Sequence, residues 1–179
     1  MKPGQVIRVS ETVSLSGITE NDLDVLVERI NDPSIYHNTL KVPYPYGQGD
    51  ARTFIRHVLD FESVHDLQKD WAIRDTSNEL IGGVGLLYEQ GLKSHRSEIG
   101  YWLAGDHRNK GIMTEVIRIF VQSVFAHTDL VRLDAHVFTG NPASTRVLEK
   151  AGFEQEGLLR KAFLKDGEYK DAWLYAVLK

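Results

Sequence analysis

The feature that most constrains this chain is the run from Glu98 to Phe138. "EIGYWLA" is strand-like, and "IMTEVIRIFVQSVFA" sets Met113, Val116, Ile117, Phe120, Val121 and Val124 on one helical face. "VRLDAHVF" then alternates over residues 131–138. A strand, a crossover helix and a second strand joined this closely form a right-handed unit with its strands parallel. The turn into the helix, "HRNKGIMT" (His107–Thr114), carries three potential cations and one glycine at the carboxyl end of a parallel strand. That is where α/β sheets tend to bind ligands.

The remaining segments arrange themselves around this unit. "VIRVSETVSLSGI" reads as one strand over about residues 6–15. Thr19 is placed as the N-cap of a helix that buries Leu23, Leu26, Val27 and Ile30 and stops before Pro33. "NDPSIYHNTLKVPYPYGQG" follows as a long irregular connection, a length that usually serves as a lid or pocket wall. A helix is expected from about Asp50 to Asp66. "WAIRDTS" and "ELIGGVGLLYEQ" form a hairpin about the turn Thr76–Asn78. Late in the chain, Asn141 caps a short helix with Pro142 at its first position and Gly152 as its stop. Two strands, about 154–164 and 169–178, then hinge at Asp166–Gly167. The expected class is α/β (α+β), one domain over residues 1–179. Its sheet should be mixed and mostly antiparallel, of about seven strands, with the parallel βαβ unit at its centre and helices on both faces.

Composition removes several functions. A net charge of −4 argues against broad nucleic-acid binding, which depends on neutralising many phosphates. No apolar run is long enough to span a bilayer, and "MKPGQVIRVS" lacks the apolar core of a secretory signal, so a cytoplasmic protein is expected. The chain has no cysteine, which excludes disulfides, thiolate metal sites and a cysteine nucleophile. Its seven histidines show no metal-ligand spacing, so no metal is expected.

The first amides of a helix lack intrahelical partners and carry the positive end of its dipole, so an anion can rest on them. Gly111 lets main chain approach such an anion, with Arg108 and Lys110 adding charge. A solvated basic loop, its glycine needed only for the turn, is the competing reading. The run G-x-x-x-x-G-K-[ST] of a nucleotide triphosphate loop does not occur. "GGVGLLY" falls short of the dinucleotide pattern because Tyr88 stands at the third glycine position and no helix follows. Gly82, Gly83 and Gly85 read instead as strand glycines that permit a bulge or close approach.

"RNKGIM" after "EIGYWL", followed by "NPASTRVLEKAGF", resembles the GNAT superfamily of acetyl-CoA-dependent N-acetyltransferases. The similarity is strongest to the branch that includes the ribosomal-protein N-terminal (alanine/serine) acetyltransferases. Arg108, Gly111 and Met113 stand at the marked positions of the family's [QR]-x-x-G-x-[GA] motif, Met113 departing from its small final residue. "YPY" at 44–46 and the ending "KDGEYKDAWLYAVL" add to the likeness.

The resemblance implies acetyl-CoA as co-substrate, held along its pantetheine arm by main-chain groups of Tyr101, Trp102 and Leu103. It implies a pyrophosphate on the amides of Arg108, Asn109, Lys110, Gly111, Ile112 and Met113. It also implies that the two parallel strands splay to admit the thioester. Asn141 matches an asparagine that bonds the arm, in competition with a plain capping role. Ser144 matches a hydroxyl near the departing sulfur, with Tyr169 and Tyr175 as rivals.

Glu98, at the start of the strand beside the cofactor, is the first candidate base. His136, on the polar phase of its strand, is the second. Without a cysteine an acyl-cysteine route is closed, so the amine is expected to attack directly within a ternary complex. The acceptor pocket is expected between the 32–49 loop, the next helix and the 165–170 turn, where Asp50, Glu62 and Glu168 would draw a cationic amine. A protein N-terminus, a diamine, an amino acid and an aminoglycoside all fit that description. The protein is expected to be a monomer or homodimer. The alternative to an enzyme is a catalytically silent acyl-CoA-binding module.

Overall fold

A computed structural model describes residues 1–88 and 92–179. Among these residues the chain forms one mixed sheet of eight strands and five α-helices. The strands are β1 (Ile7–Arg8), β2 (Ser14–Ser16), β3 (Asp70–Arg74), β4 (Leu80–Leu87), β5 (Arg96–Leu103), β6 (Arg132–Phe138), β7 (Glu154–Lys165) and β8 (Glu168–Leu178). The helices are α1 (Leu23–Ile30), α2 (Pro33–Asn38), α3 (Gln48–His65), α4 (Ile112–His127) and α5 (Pro142–Lys150). The sheet order is β1-β2-β3-β4-β5-β6-β8-β7, antiparallel throughout except for β5 and β6.

Two sequence expectations are corrected and a third is met in part. The single strand over 6–15 is instead two short strands, because Val9 and Ser10 both donate to the Val13 carbonyl and turn the chain back on itself. That raises the expected seven strands to eight. The connection before α3 is not wholly irregular: the Asp32 carboxylate accepts from the Ser34 amide at 2.7 Å, Pro33 follows at the first helical position, and α2 forms. The hairpin of β3 and β4 turns where expected, with Asn78 at φ 64°, but the expected end of its second strand, at residues 89–90, lies outside the described residues.

Two apolar clusters cover the two faces of the sheet. One lies under α4 and α5 and is built on Val116, Ile117, Phe120, Leu133, Leu148 and Tyr175. The other lies under α1–α3, around Leu26, Ile55, Val58, Ala72 and Leu80, and draws on β3, β4 and β5 but on no described residue of β6, β7 or β8. A buried ion pair fixes the first turn before α1: Asp22 accepts from the Arg74 guanidinium at 2.8 and 2.9 Å. Burial opposes the Asp22 charge, and the bonds from Arg74 and Thr19 outweigh it, holding the carboxyl below the ordinary range. No helix among the described residues is long and apolar enough to cross a membrane.

Candidate active site

The centre of the site is a place where pairing stops. β5 and β6 run parallel, yet only Arg96, Ser97 and Glu98 pair, with Arg132, Leu133 and Asp134. Beyond that point β5 continues to Leu103 and β6 to Phe138, each held only by its outer neighbour. The two strands therefore splay in the middle of the sheet. The Ala104 amide donates to the Ile81 carbonyl, and the β4–β5 register then turns the main-chain groups of Trp102 and Gly100 towards β4. By the same alternation Tyr101 and Leu103 turn theirs towards the gap. Of the three residues expected to line it with main chain, Trp102 faces away, and its indole lies against Gly83, where a Cβ would come within 2.7 Å of Nε1.

The gap opens towards the 107–114 turn. Gly111 is the N-cap of α4 at φ +79°, and Asn109 also has positive φ at 62°. A Cβ built on Gly111 meets nothing within 4 Å, so the space over the turn is open. The amides of Asn109, Lys110, Gly111, Ile112 and Met113 have no hydrogen-bond acceptor among the described residues, whereas that of Arg108 donates to the Gly105 carbonyl. Such a turn, opening a helix of 16 residues, fits an anionic group. Met113 points the other way, 7% exposed within the core, so its bulk does not crowd the turn.

The Arg108 side chain is spent elsewhere. Its guanidinium donates to the Leu103 carbonyl at 2.9 Å, to Ser34 Oγ at 3.0 Å and to Asp32 Oδ2 at 2.8 Å. It joins the turn to the start of α2, which leaves Lys110 as the exposed cation of the loop.

Side chains on the two faces of the splay differ in chemistry. Tyr101 points to the α4–α5 face, where its hydroxyl lies 2.6 Å from Ser144 Oγ on the first turn of α5. Burial pushes the Tyr101 phenol well above its ordinary pKa, against the opposing bond to Ser144, so the hydroxyl stays protonated. Asn141 caps α5, accepting from the Ser144 amide at 3.2 Å. The rival tyrosines are placed elsewhere: Tyr175 is buried with its hydroxyl 3.0 Å from Gln155 Oε1, and Tyr169 is exposed near Lys161.

Glu98 is an odd number of residues from Tyr101 and so occupies the opposite face. There His136 Nδ1 lies 3.0 Å from Glu98 Oε1, with the two side chains 23% and 20% exposed. The two candidate bases of the sequence are thus one pair.

Register extends this face outward. His136 lies opposite Leu174, Phe138 opposite Ala172, and Phe163 opposite Lys170. The Phe163 ring packs 5.4 Å from His136 and 5.7 Å from Phe138. Two residues on, Lys165 shares that face, and its Nζ sits 3.9 Å from the centre of the Tyr36 ring of α2. Tyr36 in turn donates to Asp166 Oδ2 at 2.6 Å, joining α2 to the tip of the β7–β8 hairpin. These contacts run along one face of β6 and β7, from the Glu98–His136 pair through Phe163 to Lys165 and Tyr36. Phe163, Lys165 and Tyr36 were missed in the sequence; the alternation in "AFLKD" was the available signal.

The acidic residues expected to draw a cationic amine are engaged or distant. Asp50 accepts from the Gly47 amide at the start of α3, and Glu168 pairs with Lys170. Glu62 lines a separate hollow with Arg74 and Asp22, where burial raises its carboxyl pKa.

Residues 13–154 match the acetyltransferase (GNAT) domain family. An uncharacterized N-acetyltransferase of Bacillus subtilis, YoaA, is 40% identical over 111 residues, which span 61% of this chain and 62% of that protein. The ribosomal-protein-serine acetyltransferase of Escherichia coli is 26% identical over 179 residues, covering 96% of each chain. Among solved structures, the ribosomal L7/L12 alpha-N-protein acetyltransferase RimL in complex with coenzyme A superposes with a TM-score of 0.83 at 21% identity, over 97% of this chain and 98% of that one. This chain belongs to the GNAT acetyltransferase family.

Proposed function

We propose that the protein moves the acetyl group of acetyl-CoA to a primary amine by direct attack within a ternary complex. The observation that carries this reading is the splay of β5 and β6, which has a hydroxyl pair on one face and a carboxylate–imidazole pair on the other. The pantetheine arm lies along the gap-facing main chain of Tyr101 and Leu103, beside Asn141. The pyrophosphate rests on the amides of Asn109 to Met113, with Lys110 assisting.

The amine approaches from the Glu98–His136 face and gives up a proton to that pair. Its nitrogen bonds to the acetyl carbon, and gap-facing amides of β5 stabilise the negative charge that gathers on the carbonyl oxygen. The carbon–sulfur bond breaks towards the opposite face. There Ser144, backed by the Tyr101 hydroxyl, donates its proton to the departing thiolate and regains one from solvent. The Glu98–His136 pair releases to solvent the proton taken from the amine. Acid and base never compete for one position, because the sheet itself separates them.

Thiol release from acetyl-CoA across a panel of amines tests the reading. Release should depend on the amine, and Glu98→Gln or His136→Gln should lower kcat by about 10²-fold while coenzyme A binding is kept. Coenzyme A binding with no amine-dependent release would favour a silent acyl-CoA-binding module. A stable acetyl-enzyme formed without acceptor would contradict direct attack.

A further inference from the structure

The face beside the transfer site carries, next to the Tyr36 ring, a cation with no carboxylate partner among the described residues. Lys165 is 6% exposed, yet no carboxylate among the described residues lies within ion-pair distance of its Nζ. The nearest anion in sequence, Asp166, is engaged by the Tyr36 hydroxyl. The Tyr36 ring stabilises the ammonium only in part, which leaves it able to take a carboxylate from solution. Lys165 stands on the same face as Phe163, which touches His136, so the ammonium and the Glu98–His136 pair flank the Phe163 ring on one face of the sheet. Two residues of strand separate Lys165 from Phe163, roughly 7 Å along the chain, which a lysine stem can lean back across.

We infer that the acceptor is an amino acid with a free carboxylate, and that Lys165 is the residue that selects it. This rests on the transfer reading above and names the substrate class for the same site. The two ends of this face are complementary to such a molecule: the carboxylate pairs with Lys165 over the Tyr36 ring, and the amine turns to Glu98 and His136. A polyamine would bring a second cation against Lys165. An extended peptide would offer no carboxylate near its amino end. Among the described residues, Asp50 and Glu168 are engaged and Glu62 lies in a different hollow, so none of these three reverses that preference.

The test compares amino acids with their carboxamides, using α-, β- and γ-amino acids to find the preferred spacing, with spermidine and an amidated tetrapeptide as further acceptors. The enzyme should favour the best amino acid over its amide by at least about tenfold in kcat/KM, the range expected for one charge-assisted contact. Lys165→Met keeps the apolar stem over Tyr36, and should bring that ratio near one by raising the amino acid KM, with the KM for acetyl-CoA unchanged. Lys165→Arg should retain most of the preference. An amide, spermidine or the tetrapeptide outrunning every amino acid would overturn the inference while leaving the transfer reading intact, as would an acid-to-amide ratio that Lys165→Met does not change. Coenzyme A binding without release to any acceptor would contradict the transfer reading itself, and this inference with it.

Discussion

Ser144 and Tyr101 share a single contact of 2.6 Å between two hydroxyls, and their roles separate experimentally. Ser144 stands at the first turn of α5, where a serine can be merely a good helix-start residue. Its amide already satisfies the Asn141 cap, so the hydroxyl is not needed for capping. Ser144→Ala should therefore lower kcat by about 10²-fold with little change in acetyl-CoA affinity, and Tyr101→Phe should do the same more weakly. Steady-state kinetics with calorimetric titration of coenzyme A checks this; equal losses in turnover and affinity would make the serine structural. Arg108 teaches a different lesson at this scale. Its charge suggested a phosphate contact, but three hydrogen bonds commit the guanidinium to Leu103, Ser34 and Asp32.

Among the elements, the turn before α4 is the proposed seat of the pyrophosphate. Gly111 sits at φ +79° with open space beyond it. Gly111→Val should cost the fold only its backbone strain, of order 1–2 kcal/mol, while its branched side chain fills the place of the anion. Thermal shift should show a folded protein that coenzyme A no longer stabilises; retained stabilisation would remove the turn from the site. This turn was legible in the sequence because periodicity switched from strand to helix around a glycine, and the ends of α5 were legible from Asn141, Pro142 and Gly152. Short elements were not. "VIRVSETVS" alternates like one strand, and nothing local says that Val9 and Ser10 fold back onto Val13. The Asp32–Pro33 start of α2 was readable, but six residues give no periodicity to confirm a helix.

For the whole molecule, what matters is which long-range pairings form and which do not. β5 and β6 each carry an ordinary strand pattern, so their sequences cannot announce that pairing ends at Glu98. The meeting of Tyr101 with Ser144, of Glu98 with His136 and of Lys165 with Tyr36 follows from that architecture across 43, 38 and 129 residues of chain. The splay leaves the Glu98–His136 pair and the Tyr101–Ser144 pair on opposite faces, with the gap between them. A crystal structure with bound acetyl-CoA tests this most directly. The account predicts the pyrophosphate on the amides of Asn109 to Met113, and the thioester in the gap, its sulfur towards Ser144 and its carbonyl carbon open to the Glu98–His136 pair. A thioester lying outside the gap, or with its sulfur on the Glu98 side of the sheet, would contradict it.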